Sequence, residues 1–133
     1  TVADKGCIYL ADPGVYTFDI QIYSLDFNAG GQSDLVYGQI YLYGYDVLNN
    51  LRFSQTARLD QVAGYQGRTN TLRLTGWLST RIKSGSTYYT LDYLKVKLAA
   101  YNYTETSIED ISVTATDFQI HRISNIPVDM VNL

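Results

Sequence analysis

The chain has 133 residues, 46% apolar and 17% charged, which suits one globular domain with its own core and excludes a disordered chain. A formal charge of −3 excludes the basic face that non-specific nucleic-acid binding requires. The single cysteine, Cys7, excludes an intramolecular disulfide and reads as a small buried hydrophobe, and no apolar run is long enough to insert in a membrane as a helix.

Residues 7–11 form a short first strand, and Asp12-Pro13-Gly14 turns the chain. Residues 15–27 form a long strand with Tyr16, Phe18, Ile20 and Ile22 on one face. Leu25 and Phe27 then carry the apolar signal on the other parity, so a bulge, or a corner where the strand changes sheet, is expected near Tyr23-Ser24. A Gly-rich loop over 28–34 leads to residues 35–45, the clearest strand in the chain. Asn49-Asn50 marks the next turn. Residues 51–59 place Leu51, Phe53, Ala57 and Leu59 inward, opposite Arg52, Ser54, Thr56 and Arg58. A polar loop with Gly64 and Gly67 spans 60–70.

Residues 71–83 read as one strand, with Leu72, Leu74, Leu78 and Ile82 inward. Ser84-Gly85-Ser86 turns into a long bent strand over 87–103, where Leu94, Val96 and Leu98 face in. Residues 111–123 form the last strand, with a second bulge expected near Thr116-Asp117. Residues 124–133 are an extended C-terminal arm, because Pro127 argues against a helix. Its Ile126, Val128 and Met130 need a surface, either this core or a neighbouring subunit. No stretch has helical apolar spacing. The expected fold is all-β: a two-sheet antiparallel sandwich of jelly-roll type with about eight strands, residues 1–123 forming the domain.

Within residues 35–45, Val36, Gly38, Ile40, Leu42 and Gly44 share one parity. Tyr37, Gln39, Tyr41, Tyr43 and Tyr45 share the other. The first set suits a sheet-on-sheet core. The second is a ladder of tyrosines, each an apolar ring with a polar tip. Trp77, Tyr101 and Tyr103 are candidates to extend it. The ladder is read as a subunit interface, where tyrosine is enriched, against the alternative that it fills one layer of the chain's own sandwich. Lys95 and Lys97, with Tyr101 and Tyr103, make a mixed stripe read as a solvated or interfacial strand face, not an RNA site.

Three stretches carry a resemblance. Pro13-Gly14-Val15-Tyr16-Thr17-Phe18 resembles the Gly-x-Tyr-x-Phe opening strand of tumour-necrosis-factor/complement-type trimeric jelly rolls. Residues 78–89, Leu-Ser-Thr-Arg-Ile-Lys-Ser-Gly-Ser-Thr-Tyr-Tyr, resemble their strand, turn and aromatic strand, with Ser86 where the family often has Asp. Phe118-Gln119-Ile120 resembles their last strand. The resemblance implies a homotrimer with tyrosine-rich inner strands and no catalytic residue, since these modules are mostly non-enzymatic. Domains of this type occur as phage capsid decoration proteins and fibre heads at the virion surface, and as extracellular ligands. The partners implied are further copies of the chain, with a major capsid protein or a fibre stalk beyond them.

Candidate chemistry is sparse. Asp26, Asn28, Gly30, Gln32 and Asp34 form an oxygen-rich run of the kind calcium uses, but it lacks a closing Glu and reads as a polar loop. His121, the only histidine, shares a parity with Asp117, and no motif announces a nucleophile. Glu105, Glu109 and Asp110 read as solvation. Asn102-Tyr103-Thr104 matches a glycosylation acceptor. There is no phosphate loop or dinucleotide fingerprint, so neither a catalytic residue nor a cofactor or metal is expected. For the alternative function, binding of a glycan receptor by a fibre or cell-surface module, Asp60, Gln61, Tyr65 and Gln66 form the best cluster: a ring beside a carboxylate and amides.

Overall fold

The computed structural model describes residues 7–28, 36–61, 70–102, 110–112 and 115–131. Period-two alternation over these stretches gives strands, and among the described residues there are ten. They are β1 (Cys7–Tyr9), β2 (Val15–Asn28), β3 (Val36–Asp46), β4 (Leu51–Gln61), β5 (Asn70–Ser79), β6 (Arg81–Ser84), β7 (Thr87–Asn102), β8 (Asp110–Ser112), β9 (Ala115–Ser124) and β10 (Asp129–Val131).

Sheet I has the order β10-β6-β7-β3-β4, with β1 also beside β7. Sheet II has the order β5-β2-β8, with β9 also beside β2. The pairs are antiparallel except β10 with β6, which is parallel. The β3–β4 and β6–β7 hairpins stay within sheet I. The connections β1–β2, β2–β3, β4–β5, β5–β6, β7–β8 and β9–β10 each pass from one layer to the other. The expectation of an all-β two-sheet sandwich is therefore met.

The core lies between the layers. Phe18, Ile20 and Ile22 from β2 and Leu72, Leu74 and Leu78 from β5 meet Ile40 and Leu42 from β3 and Leu91 and Leu94 from β7. Burying each such side chain contributes about 1.5–3 kcal/mol. Phe18 and Phe53 join the sheets edge to face, ring centroids 6.3 Å apart. Gly44 is small of necessity: a Cβ there would come within 2.8 Å of Leu91 Cδ1.

Several expectations are corrected. Residues 71–83 are two strands in different sheets, not one. Thr80 is the corner: its N–H donates to Gly14 O, and its carbonyl accepts from Leu91 N. Parity runs unbroken through the corner, since Leu78 and Ile82 are both fully buried. Leu51 is half exposed because the β3–β4 ladder slips at Gly44/Tyr45 and leaves Leu51 opposite Tyr45. Val96 shares the parity of Leu94 yet is exposed; β1 covers that edge of β7 only as far as Lys95. Cys7 is half-buried.

The first expected bulge is present, as β2 shifts register on β5 between Ile22 and Leu25. The second is not at Thr116-Asp117, where the β2–β9 ladder is regular. The C-terminal arm lies on its own chain. Met130 enters the core, and Ser79 Oγ donates to Val128 O, while Ile126 and Val128 stay exposed.

Candidate functional site

β3 runs through sheet I between β7 and β4, so its outward side chains have neighbours on both sides. Tyr45 stands opposite Tyr93 and Leu51, Tyr43 opposite Lys95 and Ser54, Tyr41 opposite Lys97 and Thr56. Directly opposed residues share a face, so this set forms one surface on the outside of sheet I. The inward residues of β3 are buried, whereas Tyr41, Tyr43 and Tyr45 remain part-exposed. The ladder therefore lies outside the chain's own sandwich.

The rings are ordered by one another. Tyr41 and Tyr43 stack with centroids 5.7 Å apart, and Tyr45 and Tyr93 stack at 5.0 Å. Tyr9 from β1 leans on Tyr93 at 5.6 Å. Lys97 Nζ lies 5.5 Å from the Tyr41 centroid and Lys95 Nζ 5.6 Å from that of Tyr45, within cation–π range. Tyr41 OH donates to Gln39 Oε1 at 3.2 Å. Tyr93 OH donates to Asn49 Oδ1 at 3.0 Å, and burial raises the Tyr93 phenol above its ordinary value.

The β3–β4 turn closes one end of the face. Val47, Leu48 and Leu51 are exposed there. Asp46 holds the turn. Its Oδ1 accepts from the N–H groups of Leu48 and Asn50, each at 2.9 Å, and its Oδ2 accepts from Arg52 Nε at 2.8 Å. Burial pushes the Asp46 carboxyl up, but Arg52 and the two backbone donors outweigh it and hold the group below the usual carboxylate range. Arg52 in turn lies over the Tyr89 ring at 3.5 Å.

Of the residues singled out from the sequence, Tyr41, Tyr43 and Tyr45 are brought together. Tyr37 and Tyr101 stand opposite each other in the ladder; their side chains lie outside the described set. Tyr103, Tyr65 and Gln66 lie outside the described residues. Asp60 and Gln61 belong to β4, opposite Tyr37 and Val36, not to the loop assigned to them. Trp77 does not extend the ladder: it lies in β5 of sheet II, opposite Thr17. His121 and Asp117 are on the outer face of sheet II, with Gln119 between them, and His121 is exposed. Tyr93 and Tyr9 are further members. The parity Tyr93 shares with Lys95 pointed to the first; nothing local pointed to the second, which needs the β1–β7 pairing.

Stacked phenols flanked by ammonium groups bind through area and hydrogen-bonding tips. Among the described residues, no three His, Cys, Asp or Glu side chains converge to hold a metal ion. No family model matches the chain, and no curated protein matches it.

Proposed function

We propose that this protein is a non-enzymatic structural module that binds further copies of its own chain through the tyrosine face of sheet I. The carrying observation is the outward position of Tyr41, Tyr43 and Tyr45 on a strand whose opposite parity, at Gly38, Ile40, Leu42 and Gly44, is buried. A row of rigid aromatic side chains gives large contact area at low entropic cost, and its hydroxyls remain able to hydrogen-bond across a contact. The exposed Val47, Leu48 and Leu51 lie at the end of the same face and extend it with apolar surface.

The trimeric state and the setting, a capsid decoration or fibre-head protein at a virion surface, come from the sequence resemblance alone. The C-terminal arm no longer supports the reading, because it packs on its own subunit. The test is light scattering on the purified chain beside the double variant Tyr41→Ala/Tyr43→Ala. A trimer that becomes a folded monomer in the variant supports the proposal. A wild-type chain that stays monomeric at every concentration overturns it.

A further inference from the structure

A second region, where the edges of the two sheets meet, carries its own chemistry and touches the tyrosine face at Ser54, which stands opposite Tyr43. The strand order leaves β4 at one edge of sheet I, β10 at the other, and β5 at an edge of sheet II. These three edges meet around an open cleft of about 400 Å³, lined among others by Arg52, Ser54, Gln55, Trp77, Asp129 and Met130. That volume is in the range of small-molecule sites, roughly 300–1,000 Å³.

The two charged groups in the cleft are already satisfied. Arg52 is paired with Asp46 at 2.8 Å. Asp129 is paired with Arg81 at 3.0 Å and accepts from Tyr88 OH at 3.4 Å. Three neutral polar groups are not. Among the described residues, the side chains of Ser54, Gln55 and Trp77 have no hydrogen-bond partner. Gln55 shares the inward parity of Phe53 and reaches across to β5. Its Oε1 would lie 2.9 Å from a Cβ on residue 76, so Gly76 makes room for the amide. Trp77 is 49% exposed beside it.

An indole face next to an unpaired amide and hydroxyl, with the local charges neutralised, fits one class of ligand. We propose that this cleft binds a neutral carbohydrate of one or two pyranose units. The C–H face of a pyranose packs on Trp77, and its hydroxyls bond Gln55 and Ser54. An anionic ligand finds no unpaired cation here, and a purely apolar one leaves the Gln55 amide desolvated without a partner, which is costly. Arg52 and Asp129, each fixed by its own partner, border the site and hold its shape.

Trp77 is the only tryptophan, so its emission reports the cleft directly. The intact protein is screened on an array of neutral glycans and then titrated with cellobiose, lactose and diacetylchitobiose, with saturation-transfer NMR in parallel. At least one sugar is expected to change the emission saturably. Gln55→Ala is expected to weaken it about five-fold, the equivalent of one hydrogen bond. Trp77→Ala is expected to abolish the NMR transfer while the melting temperature holds, since both residues are exposed. If Trp77→Ala fails to fold, Gln55→Ala decides. The proposal is overturned if no neutral glycan saturates, if binding is indifferent to both substitutions, or if an extended peptide binds the cleft and sugars do not.

Discussion

The outer faces of the two sheets are built on the same strand alternation and filled with opposite chemistry. On sheet I, β3 and β7 set Tyr41, Tyr43 and Tyr45 against Lys97, Lys95 and Tyr93. On sheet II, β2 sets Thr17, Asp19 and Gln21 between Trp77, Thr75 and Arg73 on one side and His121, Gln119 and Asp117 on the other. The inner parities of both sheets are mostly apolar, because the core requires it. The outer parities are not constrained by the core, so a large investment in aromatic area on one of them is where function is to be sought. Sheet II carries mostly polar side chains, among them Asp19, paired with Arg73 at 2.7 Å, whose proximity holds the Asp19 carboxyl below its ordinary value.

The comparison can be broken most strongly at the turn that ends the tyrosine face. Asp46→Ala leaves Arg52 and two backbone N–H groups without their acceptor, and is expected to destabilise the fold by about 3 kcal/mol in urea unfolding. The pH dependence follows from the sign of the Asp46 shift. A carboxyl held below its unfolded value contributes stability that is fully present above the unfolded pKa and is lost as pH falls through the folded one. Acid unfolding of the wild type should therefore be steeper than that of Asp46→Asn over the acidic range.

Gly44→Ala comes next. Its new Cβ would press on Leu91 and on Phe53 Cβ, and overpacking of this kind costs about 1–3 kcal/mol. Thermal melting checks it, and the loss should appear with or without self-association, since the residue faces the core. Tyr41→Ala with Tyr43→Ala removes one stacked pair, worth about 0.5–1.5 kcal/mol beyond its area, and is expected to act on assembly more than on folding. Arg73→Ala on sheet II should be smallest, within about 0.5 kcal/mol by denaturant melt, because an exposed ion pair contributes little.

How much of this was legible in the sequence varies by element. The alternation in residues 35–45 is unbroken, and both faces of β3 follow from it: Ile40 and Leu42 are buried and the tyrosines are outward. The parity switch at Tyr23-Ser24 likewise located a real register shift. Where the chain changes sheet without changing parity, as at Thr80, the pattern has no mark, and β5 and β6 merge into one strand on paper. Leu51 was misplaced because the register slip at Gly44/Tyr45 leaves Arg52 as an extra residue on β4 and reverses the face of Leu51. The cleft at Trp77 was not legible at all. Its walls come from β4, β5 and β10, and only the sheet order brings Gln55 and Trp77 together. Met130 illustrates the same limit: the arm needed an apolar surface, and the parallel pairing with β6 supplied one that local spacing does not specify.

Hydroxyl-radical footprinting across a concentration series tests the difference between the two faces most directly. Oxidation of Tyr41 and Tyr43 should fall as the chain associates, while oxidation of Trp77 and His121 on sheet II stays constant. Equal protection of both faces, or tyrosine oxidation that does not change with concentration, would contradict the assignment of the aromatic face as the contact between copies.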